Sequence, residues 1–119
     1  MPRQFKRADR VAEELRRLLS EAWDREFASH APGMVTFIRI RLSNDPRHAK
    51  AYWSYLGKDE DRPRIEEMLE REAGKLRHLV GKGLTMRHLP ELTFRFDPSI
   101  EEGIRIEKLL GEIKRDSEK

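Results

Sequence analysis

The sequence has no cysteine, which removes disulfides, thiol nucleophiles and thiolate metal sites together. It also lacks any apolar run approaching the ~20 residues that a bilayer-spanning helix needs, so no membrane partner is expected. The chain opens Met1-Pro2-Arg3-Gln4 with no apolar signal segment behind it, and this reading places the protein in the cytoplasm. Four histidines, His30, His48, His78 and His88, are scattered with no pair at metal-ligand spacing, so neither a metal site nor a cofactor is expected. No serine stands in a nucleophile-elbow sequence, and Gly81-Lys82-Gly83 lacks the Walker spacing. Asp45 and His48 flank a turn, but an acid–base pair there is a weaker reading than a turn-capping aspartate. No catalytic residue emerges.

What the chain does have is charge. Charged residues make up 39% of its 119 positions and hydrophobic ones 37%, which suits one domain with an economical core and a dense ionic surface. The net charge of +3 is small, but its distribution is uneven. Residues 1–20 hold six cations against three anions, 34–50 four against one, and 71–90 five against Glu72 alone. The segments 21–33, 51–70 and 91–119 are each net acidic. Such segregation creates local fields larger than the total suggests.

Periodicity gives the elements. Residues 1–7 read as a flexible basic arm. A helix then starts at Ala8 or Asp9, with Val11, Leu15, Leu18, Leu19, Ala22 and Trp23 in one apolar stripe, and fades near Phe27 before Ala31-Pro32-Gly33. Met34–Ser43 is a strand in which Ile38, Ile40 and Leu42 alternate with Arg39 and Arg41. Asn44-Asp45-Pro46-Arg47 turns the chain into His48–Leu56, with Ala49, Ala51, Trp53 and Tyr55 on one face and Lys50, Tyr52 and Ser54 on the other. Asp61 caps the next helix and Pro63 suits its first turn. Its stripe of Ile65, Met68, Leu69, Ala73, Leu76, Leu79 and Val80 is interrupted by Gly74, and the reading breaks it there into two helices meeting at a kink. Leu92, Phe94 and Phe96 alternate in a third strand after Pro90. Ser99-Ile100-Glu101-Glu102 has capping-box spacing and opens a last helix expected to bury Ile100, Ile106, Leu109, Leu110 and Ile113, with 114–119 as a frayed tail. A small sheet covered by helices on one face is an α+β architecture, and strand order stays open at this stage.

Five stretches carry a family likeness: Arg7–Val11; Val35–Gly57, reading VTFIRIRLSNDPRHAKAYWSYLG; Ala73-Gly74-Lys75-Leu76-Arg77; Arg87–Asp97, reading RHLPELTFRFD; and Ser99–Leu110, reading SIEEGIRIEKLL. In this order they resemble the ribosome-binding factor A family. The resemblance implies a single type II KH-like domain over 1–119, in the order α-β-β-α-kink-α-β with a C-terminal helix and a three-stranded sheet. It implies a non-enzymatic assembly factor, monomeric when free, that binds the immature small ribosomal subunit and its 16S rRNA and promotes rRNA processing. KH modules clamp nucleic-acid backbone through a Gly-x-x-Gly loop, which this family replaces with an Ala-x-Gly kink. The matching triplet here is Glu72-Ala73-Gly74, with glutamate in place of the first alanine.

The residues expected to grip RNA are Arg7 and Arg10 on the first helix and Lys75, Arg77, His78, Lys82 and Arg87 beyond the kink. Against this stands the plainer view that such cations only solvate exposed helix faces. Arg39 and Arg41, on the strand face away from the helices, are left between solvent and RNA. Trp23, Trp53, Tyr55, Phe94 and Phe96 sit at core periodicities, whereas Tyr52 faces outward on its strand and is the better stacking candidate. An alternative reading is a protein-interaction module whose charged faces meet an acidic partner.

Overall fold

Twenty-four residues form the first helix, α1 (Arg3–Glu26), and its stripe does what the spacing requires: Leu15, Leu19, Ala22 and Trp23 are buried. Arginines follow glutamates at helical spacing on the outer side, pairing Arg16 with Glu13 and Arg17 with both Glu14 and Glu21. Each pair adds a few tenths of a kcal/mol to a helix. The computed structural model describes residues 3–45, 47–84 and 88–117. The remaining elements are β1 (Met34–Leu42), β2 (His48–Leu56), α2 (Arg62–Gly81), β3 (Glu91–Phe96) and α3 (Ser99–Ser117), with single 3-10 turns at Ala28–His30 and Asp59–Asp61. The basic arm assigned to residues 1–7 is helical from Arg3 onward, and α3 runs through the stretch assigned to a frayed tail as far as Ser117.

The sheet order is β1-β2-β3. β1 and β2 are antiparallel, closed by the Ser43 N–H donating to the His48 carbonyl at 2.9 Å, and the Ser43 hydroxyl accepts from the His48 N–H while it donates to Asp45. Asp45 therefore serves the turn, and His48 instead faces Glu91 at 3.7 Å. β3 lies parallel to β2, and α2 makes the crossover that a parallel pair needs.

β1 departs from simple alternation. A bulge falls between Phe37 and Arg39, so Val35 and Phe37 point inward before it and Ile40 after it. Ile38, expected inward, is the extra residue and is half-buried. The bulge lets one strand switch the parity of its buried set.

α1 packs on β1, α2 on β3, and the two helices on each other, leaving their shared groove over β2. There Ala49 and Ala51 are fully buried and small enough to let both helices approach. Trp23 meets Phe37 edge-on at 6.1 Å and Trp53 meets Phe96 at 5.1 Å, joining the helix layer and the strands in one core.

Three further expectations change. α2 is a single helix through Ala73 and Gly74, with no break. Gly74 is exposed with open space around it, Leu69 on one side and Leu76 and Val80 on the other are buried, and this anchoring outweighs a glycine cost of about 1 kcal/mol. Asp61 makes no side-chain cap to α2. At α3 the cap is Asp97, whose Oδ1 accepts from the Ser99 N–H at 2.9 Å, with Pro98 in the favoured first position. That bond holds the Asp97 carboxyl below the usual carboxylate range.

The apolar stripe of α3 is also not buried. Ile100, Ile106, Leu109, Leu110 and Ile113 are all exposed, and among the described residues α3 has no extensive packing against another element. The covered face of the sheet is already filled by α1 and α2, so sound helical spacing alone does not bring the α3 stripe into that core.

Candidate nucleic-acid interface

The two helices of the covering layer run antiparallel. Gly83, just past α2, lies against Leu18, while Lys75 sits with its ammonium 5.3 Å from the Phe27 ring centroid at the far end of α1. Arg10 is eight residues upstream of Leu18, about 12 Å along a helix, so Arg7 and Arg10 project beyond the C-terminal end of α2. Both are exposed and make no ion pair among the described residues.

At 100° per residue, Lys75, His78 and Lys82 fall on one side of α2, all exposed. Arg64 and Arg71 share that phase, and they extend the line toward the start of the helix. A helix-phase count finds them; reading only the residues after Gly74 passes them over. Glu72, the only acid in the 71–90 stretch, is held by Arg71 at 3.4 Å. The stripe borders two shallow grooves. One is lined by His30, Arg64, Glu67, Met68 and Arg71, the other by Leu18, Glu21, Arg25, Glu26 and Lys82. Glu21 is already paired with Arg17 at 2.7 Å.

Arg77 stands apart. It is 100° or more away from every member of this stripe, and its guanidinium donates to the carbonyls of Leu89 at 2.7 Å and Pro90 at 3.1 Å. Pro90 is fully buried at the entrance to β3, so Arg77 ties α2 to that strand. Lys82 also lies at the C-terminal end of α2, where a cation complements the helix dipole. Arg87 lies outside the described residues. Of the expected set, the fold thus brings Lys75, His78 and Lys82 together, adds Arg71 and Arg64, leaves Arg7 and Arg10 at one end, and diverts Arg77 to a structural bond.

The model of ribosome-binding factor A matches residues 7–110. A ribosome-binding factor A from Natranaerobius thermophilus is 39% identical over 107 residues, 90% of this chain and 82% of that protein. Among solved structures, a Thermotoga maritima protein assigned as a ribosome binding factor A superposes with a TM-score of 0.60 at 35% identity, covering 71% of this chain and 81% of the other. A homology model of the Thermus thermophilus ribosome binding factor A, fitted into a cryo-EM map of its complex with the 30S particle, gives 0.61 at 23% identity over 73% of this chain and 91% of the other. The KH-like α+β fold built above is the fold of these structures. With the match spanning most of the chain and both helices of the covering layer, the protein belongs to the ribosome-binding factor A family.

Proposed function

We propose that this chain is a non-enzymatic assembly factor that binds the immature small ribosomal subunit in the cytoplasm, gripping 16S rRNA phosphates and favouring late maturation and rRNA processing. The observation that carries this reading is the exposed Arg64–Arg71–Lys75–His78–Lys82 stripe on α2, in a chain whose relatives are named for ribosome binding. A line of cations along one helix matches a backbone of regularly spaced phosphates, and such contacts weaken steeply with salt because bound counterions return. Binding a precursor conformation better than the mature one shifts that equilibrium without bond chemistry. The KH-like fold supports the reading by placing the stripe on the helical layer rather than in a closed pocket.

The test is cosedimentation with purified small subunits across a salt series. The double variant Lys75→Glu with Lys82→Glu is expected to lose roughly tenfold or more in affinity and to show a shallower salt slope. Wild-type binding by that variant removes the stripe from the interface, and wild-type binding that is flat with salt removes the phosphate grip altogether.

A further inference from the structure

The sheet has a second face, which neither α1 nor α2 covers. Its register sets outward side chains in rows. Arg39 on β1, Tyr52 on β2 and Arg95 on β3 stand side by side, and Arg41, Lys50 and Thr93 form the next row. Neighbouring strands are about 4.8 Å apart and alternate residues about 6.7 Å, so the rows make a compact patch centred on an aromatic ring. Arg39 lies over the Tyr52 ring at 4.4 Å. Of the acids nearby, Asp97 accepts from Ser99 and sits 3.8 Å from Arg39, and Glu91 faces His48, while Glu66 and Glu70 share a groove with Arg95 at the β3 edge. Arg41, Lys50 and Arg95 have no ion pair among the described residues, and both Arg41 and Arg95 are exposed.

We infer that this open sheet face is a second nucleic-acid contact, taking a single-stranded RNA segment with a base stacked on Tyr52 and phosphates held by Arg41, Lys50 and Arg95. It rests on the reading that the chain binds RNA, and it adds a surface on the side opposite the α2 stripe. The chemistry favours RNA over an acidic peptide because the centre of the patch is a π-face, which a base fills by stacking and a carboxylate does not. A base taking the place of the Arg39 guanidinium keeps that ring covered and turns the cation toward the strand's own phosphates. Two surfaces on opposite sides would let the protein bridge two rRNA segments and so sense their relative placement.

The experiment uses the full chain and a fluorescent single-stranded oligouridylate in anisotropy titrations, alongside cosedimentation with small subunits. Arg41→Glu with Lys50→Glu, and separately Tyr52→Ala, are each expected to weaken oligouridylate binding about tenfold. Tyr52→Phe, which keeps the ring, is expected to bind within about twofold of wild type, and unchanged melting of all variants shows that folding is not the cause. A photo-cross-linking residue in place of Tyr52 is expected to join to rRNA in the small-subunit complex. Cross-linking to a ribosomal protein instead, or wild-type oligouridylate binding by the sheet variants while Lys75→Glu/Lys82→Glu loses affinity, overturns this inference and leaves the first reading standing. Unaltered small-subunit binding by every variant overturns both.

Discussion

Arg77 illustrates how a side chain's role follows from what its donors touch. From its position among cations it belongs with the phosphate-binding candidates, yet two of its N–H groups are spent on the Leu89 and Pro90 carbonyls that lead into β3. Replacing it with alanine is expected to lower stability by about 2 kcal/mol, read by urea denaturation, while Lys82→Ala changes stability by less than about 0.5 kcal/mol. Equal stability of the two variants sinks the structural role.

Tyr55 poses the converse case. Its hydroxyl is buried with no hydrogen-bond partner among the described residues, pressed between Gly33 and Gly57, where an added Cβ would come within 2.6 and 2.7 Å of it. Burial raises its ionisation above the ordinary value of 10.0. A phenol whose folded pKa is raised gives stability that is present below the unfolded pKa and is lost as pH climbs through the folded one. Tyr55→Phe is therefore expected to gain about 1 kcal/mol at neutral pH, by relieving an unsatisfied hydroxyl, and to flatten the stability loss above pH ~10. A destabilised phenylalanine variant sinks the argument.

At the scale of elements, α2 and α3 show two ways in which periodicity meets its limit. Gly74 breaks the apolar pattern of α2, but a helix with buried anchors on both sides of a lone glycine continues through it. Its surroundings are open and no glycine among the described residues has a positive φ. Gly74→Ala should therefore stabilise the protein by about 1 kcal/mol, measured as a raised denaturation midpoint. A loss of stability means that the glycine supplies a bend the helix requires. In β1, the bulge at Ile38 hides behind an Arg–Ile–Arg alternation that looks regular, because only pairing with Tyr52 and Trp53 reveals the extra residue.

The whole molecule extends 62 Å along its longest axis. Its main packing joins α1, α2 and the sheet, and among the described residues the Asp97 cap is what ties the start of α3 to β3. A helix that buries little is held near the bottom of the local stability range. In hydrogen exchange, α3 amides are expected to exchange at least a hundredfold faster than those around Leu19 and Leu69 in α1 and α2. Comparable protection in both regions shows that α3 docks in solution.

The sequence by itself determined the element order, the α+β class, the inward faces of β2 and β3 and the core stripes of α1 and α2. These follow from repeats of two and 3.6 residues that each element carries locally. The uneven charge and the family likeness were equally legible. Tertiary structure alone decided the sheet order, the bulge, the fate of the α3 stripe and the sorting of cations into a helical line, a structural clasp at Arg77 and a patch around Tyr52. Those outcomes depend on which surfaces meet across the fold, and with α1 and α2 filling the core face of the sheet, the α3 stripe stays outside that core whatever its own pattern.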